Sequence, residues 1–169
     1  MSPSKALSSQ NTIATKVLCW IALALSLGNP AYSEPKVVTK YVYYTVDSAS
    51  LPGLRAQMKD RGPRGFWAYA RWWVNWNRDC DVTVNITYTL PQHADPSVLS
   101  VREREKWDAM MLVMLAHEKQ HGSHGISAGQ EIVQANCKRP RRIIRKWAEQ
   151  DRIYDRETEH GRLEGVTLR

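Results

Sequence analysis

The spacing of the apolar residues changes once along this chain, and that change limits what the chain can fold into. In "CDVTVNITYTLP" (80–91), Val82, Val84, Ile86, Tyr88 and Leu90 alternate with Thr83, Asn85, Thr87 and Thr89. A spacing of two puts the first set on one face of a strand and the second on the other, which predicts an antiparallel strand with one wet face. From about Val101 the spacing becomes three and four. Trp107, Met110, Met111, Met114, His117, His121 and His124 then share one face of a helix. Strands followed by long helices place the chain in the α+β class.

The remaining segments fit that plan. "KVVTKYVYYTV" (36–46) and "GFWAYARWWVNW" (65–76) are rich in β-branched and aromatic residues and read as strands. "SASLPGLRAQMKDRGP" (48–63) has a Ser start signal and a Gly-Pro stop, which predicts a short helix. "PQHADPSVLS" (91–100) reads as a loop, and "RRIIRKWAEQDRIYDRETEH" (141–160) as a last helix. Gly122 and Gly125 weaken the long helix just after His121, and 126–137 can resume it. The expected architecture is a small, mostly antiparallel sheet packed against the long helix and the C-terminal helix.

The first 33 residues read as an export signal. A polar start with Lys5 and Lys16 precedes the apolar run "VLCWIALALSLG" (17–28), and Ala31-Tyr32-Ser33 offers a small-residue cleavage site. That run is short of the roughly 20 apolar residues of a membrane span. The expected organisation is a leader at 1–33 and a single domain at 34–169, secreted or periplasmic, with no stable membrane span once the leader is removed. Cys19 lies in the leader, so Cys80 and Cys137 remain as a pair. In an oxidising compartment they predict one disulfide. Closing so long a loop is worth roughly 4 kcal/mol in the chain-entropy model.

Within the helical stripe, His117-Glu118-Lys119-Gln120-His121 is an H-E-x-x-H sequence. Two histidines four apart are separated by about 40° in azimuth and about 6 Å along the axis, so both can reach one ion. Glu118 stands beside that ion without binding it. This pattern suits zinc chemistry: two neutral imidazoles hold the metal, and a carboxylate serves as base toward water.

A catalytic zinc generally has three protein ligands. His124 shares the face but lies about 10.5 Å up a straight helix from His117. The bent version, H-E-x-x-H-x-x-G-x-x-H, does not fit, because its Gly position is His124 and its last His position is Ser127. His93, in the preceding loop, stays open. "YDRETEHGRLEG" (154–165) brings Tyr154, Asp155, Thr158, His160 and Gly161. If the last helix folds back, His160 or Asp155 can complete the site. His160 ranks first as third ligand, Asp155 second and His124 third. Asp155 has a second reading, orienting a ligand histidine. Tyr154 is placed to donate a hydrogen bond to an oxyanion, or simply to pack.

"WDAMMLVMLAHEKQHG" followed by "YDRETEHG", with a Cys before and a Cys after the motif, resembles the bacterial family of predicted secreted zinc-dependent proteases, long filed as a domain of unknown function. The resemblance extends over most of 34–169. It implies a zincin-like metallopeptidase domain with site residues His117, Glu118, His121 and the Y-D-x-x-T-x-H-G segment.

The expected function is therefore hydrolysis of peptide bonds in a peptide or protein substrate. Zinc would be held by His117, His121 and His160, with Glu118 as general base and Tyr154 assisting. The alternative is an exported, non-catalytic binding module of the cell envelope that zinc merely stabilises. "KRPRRIIRK" (138–146) offers cations to anionic phospholipid or nucleic acid, but Ile144 and Trp147 at helical spacing make it read first as a solvated helix face. Nucleic acid is not an expected partner. The oligomeric state is not legible.

Overall fold

The computed structural model describes residues 33–169, so the expected leader, apart from Ser33, lies outside the described residues. The chain runs β1 (Lys36–Val46), α1 (Leu51–Arg61), β2 (Tyr69–Trp76), β3 (Val82–His93), α2 (Val101–Gln134) and α3 (Pro140–Thr158). The fold is α+β, with three strands in one sheet and three α-helices among the described residues. No described helix is long and apolar enough to cross a membrane.

β3 is the central strand, flanked by β1 and β2. Its alternation explains this: Val82, Val84, Ile86, Tyr88 and Leu90 are buried, and the threonine face is only half-buried. β2 pairs with β3 antiparallel, Tyr69 opposite Thr89 and Trp76 opposite Val82. β1 pairs with β3 parallel, from Lys36 opposite Thr83 to Val46 opposite His93. The sheet is thus mixed, where the sequence pattern suggested a mostly antiparallel one. Alternation reports which side of a strand is wet; it carries no information about the direction of the neighbour. The chain leaves β1 through α1 and β2 before β3 begins, and so returns alongside β1 in the same direction.

α1 starts at Ser50, whose hydroxyl accepts from Gly53 N, and stops at Gly62. Leu51, Leu54 and Met58 are its buried face. α2 starts with a capping box between Ser100 and Glu103, which satisfies two of the orphan amides of a helix start. It then runs 34 residues without a break. The expected weakening at Gly122 and Gly125 does not interrupt it, because these glycines are contact points with the sheet. A Cβ on Gly125 would lie 2.7 Å from Cγ of Trp72, and one on Gly122 would lie 2.0 Å from the Tyr88 hydroxyl. The missing side chains let α2 approach β2 and β3 closely.

Cys80 and Cys137 form the expected disulfide, with Cα atoms 5.7 Å apart. It ties the β2–β3 turn to the segment joining α2 and α3. α3 packs along α2 with Ile143 buried, and Glu131 on α2 accepts hydrogen bonds from Lys146 Nζ and Trp147 Nε1 on α3. The result is that α3 folds back alongside the H-E-x-x-H turns.

Candidate metal centre

His117 and His121 lie on the buried face of α2, and their Nε2 atoms face each other at 3.3 Å. Asp155 comes from α3. Its Oδ1 is 3.5 Å from His117 Nε2 and 3.2 Å from His121 Nε2. These three residues form a set whose ligand atoms all fall within 4.8 Å of one another.

The other ring nitrogen of each histidine also meets a carboxylate. His117 Nδ1 is 2.8 Å from Glu164 Oε2. His121 Nδ1 is 3.1 Å from Asp151 Oδ1. A carboxylate only accepts, so each Nδ1 carries its proton there, and a neutral imidazole then presents a bare lone pair at Nε2. Two Nε2 atoms and one carboxylate oxygen therefore converge on the same small volume, with the nitrogens free to offer lone pairs to a metal or, in the protonated rings, an N–H to Asp155. Such an arrangement repels itself unless a cation or a shared proton sits among the three.

The dimensions suit a metal. With bonds of about 2.1 Å to zinc, the edges of a tetrahedral ligand set are about 3.4 Å. The three observed separations, 3.2, 3.3 and 3.5 Å, match those edges. The electrostatics agree. Burial works to lower the pKa of His121, yet Asp151 and Asp155 outweigh it and push the group up to about 10. His117 is also raised: burial is again overcome, here by Asp155 and Glu164. Burial opposes ionisation of Asp155, but its hydrogen bonds with His117 and His121 hold it well below the usual carboxylate range. The pocket is built to hold positive charge.

Glu118, next to His117, is only 6% exposed and lines the same cavity. Burial raises its pKa, while the two histidines and the backbone at Ala70 pull it back in part. The cavity has a volume of about 610 Å³ and is bounded by the centre, by the segment entering β2 and by the C-terminal residues. The candidate site therefore faces open space on one side.

Tyr154 stacks on the His117 ring at 4.9 Å and donates its hydroxyl to Glu164 Oε1. Burial and Glu164 both raise its pKa. Its hydroxyl is thus committed to the carboxylate that orients His117. Thr158 donates to the Tyr154 carbonyl and accepts from Gly161 N, which closes the end of α3. Gly161 has φ +79, and a Cβ there would lie 3.1 Å from Cγ of His117. Only glycine lets the chain turn so close over that ring. His160 is 58% exposed, and its Nδ1 lies 3.3 Å from Asp155 Oδ1. It stands one contact farther out than the set of His117, His121 and Asp155.

The other histidines have separate assignments. His124 Nδ1 is 2.6 Å from Asp151 Oδ1, so Asp151 serves His121 and His124 together, and its Oδ2 accepts from Trp72 Nε1 at 2.6 Å. His121, His124 and Asp151 are themselves close enough to count as a second set. His93, at the end of β3, accepts from Asp95 N and donates to the Ser48 carbonyl, and its ring edge meets Trp107. It closes a turn.

A family model described as "Bacterial protein of unknown function (DUF922)" matches residues 41–161. The chain belongs to this family. The DUF922 match opens in β1 and closes at Gly161, so His117, Glu118, His121, Asp151, Asp155 and His160 all fall inside it, and Glu164 lies just beyond. No curated protein and no solved structure matches the chain.

Sequence reasoning did not single out Asp151, Glu164 or Trp72. For Asp151 a signal was present: Asp151 and Asp155 are four apart on α3, as His117 and His121 are on α2. Two i, i+4 pairs on antiparallel helices make facing ligand walls. Glu164 follows the last motif residue without helical phase, and nothing in its spacing marks it.

Proposed function

We propose that this protein is an exported zinc-dependent metallopeptidase, acting outside the cytoplasm on peptide or protein substrates, with zinc held by His117, His121 and Asp155. The observation that carries this reading is the convergence of two Nε2 atoms and one carboxylate oxygen beside a buried glutamate, at the mouth of a cavity. Asp155 takes the place of third ligand ahead of His160, because it faces both imidazoles. His160 is left to brace Asp155 from outside.

Zinc at this site would supply Lewis acidity, making a water acidic near neutral pH and polarising the substrate carbonyl. The chain's own residues supply the rest. Glu118, its pKa raised by burial, accepts a proton from the attacking water and returns it to the leaving amine. Glu164 and Asp151 hold the two imidazoles in the Nδ1–H form, with Nε2 directed at the site. Tyr154 keeps Glu164 in place and shields the face of His117. A non-catalytic structural zinc would require a fourth protein ligand; here the open side faces a cavity.

Glu118→Gln tests the assignment. The variant is expected to bind one zinc per chain and to lose hydrolysis of an unstructured protein substrate by about 10²–10⁴-fold. Retained hydrolysis would end the general-base role.

A further inference from the structure

Far from the metal centre, the N-terminal end of α3 and the end of β2 enclose an open recess lined by Trp76, Arg139, Pro140, Arg141, Arg142 and Arg145. No acidic residue lines it. Lys138, Arg139, Arg141, Arg142, Arg145 and Lys146 are all exposed. Among the described residues only Lys146 of these six is in an ion pair, with Glu131. The Trp76 ring stands at the rim, 37% exposed. The Cys80–Cys137 disulfide joins the two chain segments that meet here, four residues after Trp76 and two before Arg139. The strongest block of positive charge in the chain is therefore a fixed feature of the surface with an indole beside it.

We propose that this recess docks the protein on an anionic phospholipid surface. Charge sets the sign of the partner: unpaired arginines gain by lying against negative headgroups. The indole indicates an interface, since tryptophan settles where one end of the ring is wet and the other apolar. The shape of the cluster decides against a nucleic acid strand. Positions 139–145 span only about 9 Å of helix axis. That is a compact foot, suited to laterally mobile lipids, and not a track for a polymer backbone. Asp155 lies about 20 Å farther along α3 than Arg142, so docking leaves the cavity clear of the surface. This assignment is independent of the metallopeptidase reading.

Co-sedimentation of the full chain with vesicles tests it, comparing phosphatidylcholine containing one quarter phosphatidylglycerol with phosphatidylcholine alone. Wild type and variant carry the same leader, with its Lys5 and Lys16 and the apolar run at 17–28, so the loss from wild type to variant on the anionic vesicles is the readout. Arg141→Ala/Arg142→Ala/Arg145→Ala is expected to weaken binding to the anionic vesicles by about a hundredfold, near fivefold per arginine. Binding to pure phosphatidylcholine should not change. Trp76→Ala is expected to weaken anionic binding with all arginines present. Equal binding of wild type and triple variant to anionic vesicles would overturn the proposal. So would duplex DNA displacing the protein from those vesicles at equal phosphate concentration, which would mark the recess as a general polyanion site. Thermal unfolding of each variant confirms that it is folded.

Discussion

Glu164 Oε2 lies 2.8 Å from Nδ1 of His117, a contact that reaches from the last turn of the chain to the heart of α2. It makes the segment after α3 part of the candidate metal centre and sets which nitrogen of His117 faces His121 and Asp155. Glu164→Gln removes the charge but keeps an acceptor. Zinc affinity is expected to fall about tenfold, and Glu164→Ala toward a hundredfold. Competition with a chromophoric chelator measures both.

Asp155 and His160 are separated by their distances to the imidazoles. Asp155→Ala removes an atom that faces both Nε2 positions, and should lower zinc affinity by more than about a hundredfold. His160→Ala removes only a brace on Asp155, and should cost less than about tenfold. The reverse order would make His160 the ligand and Asp155 its support.

Gly125→Ala places a methyl group 2.7 Å from Cγ of Trp72, whose Nε1 donates to Asp151. Overpacking of this kind costs about 1–3 kcal/mol. Because Asp151 also orients His121, zinc affinity should fall along with stability. A surface helix change that loses the same stability should leave affinity unaltered. Denaturant titration and zinc competition together separate the two effects.

Glu131 clamps α2 to α3 through Lys146 and Trp147. Its pKa is lowered, chiefly by the hydrogen bond with Lys146. A depressed folded pKa contributes stability that is present above the unfolded carboxylate value and lost as pH falls through the folded one. Glu131→Gln should therefore reduce stability near neutral pH by about 1 kcal/mol, the usual worth of such a hydrogen bond. The difference from wild type should shrink as pH drops below about 4.5. Thermal melts from pH 3 to pH 7 check this.

The fold was legible in the sequence wherever burial imposes a period. The alternation in 82–90 gave the central strand, the stripe from Trp107 to His121 gave the long helix, and Ser50 with Gly62 bounded α1. Strand direction was not legible, because β1 is exposed along most of its length and its residues do not record which neighbour they meet. The glycines after His121 looked like a break because propensity sees only the cost of a missing side chain. Their benefit, close approach to Trp72 and Tyr88, belongs to tertiary packing. At the centre, the motif pointed to His117, Glu118 and His121, and the turn-ending segment 154–161 was recognisable by its polar residues. Which member of that segment faces the imidazoles depends on where α3 ends. His160 falls past the last helical residue in a left-handed conformation, which turns it outward.

The central claim is a three-ligand metal site with one open position, and X-ray absorption at the zinc edge of the purified, zinc-loaded protein tests it most directly. The predicted result is one zinc per chain at about 2.0–2.1 Å from four nitrogen or oxygen atoms. Two should be imidazoles, one carboxylate and one solvent, with the imidazole signal halved in His121→Ala. A chain that binds no zinc, or a zinc closed by a fourth protein ligand, would contradict it.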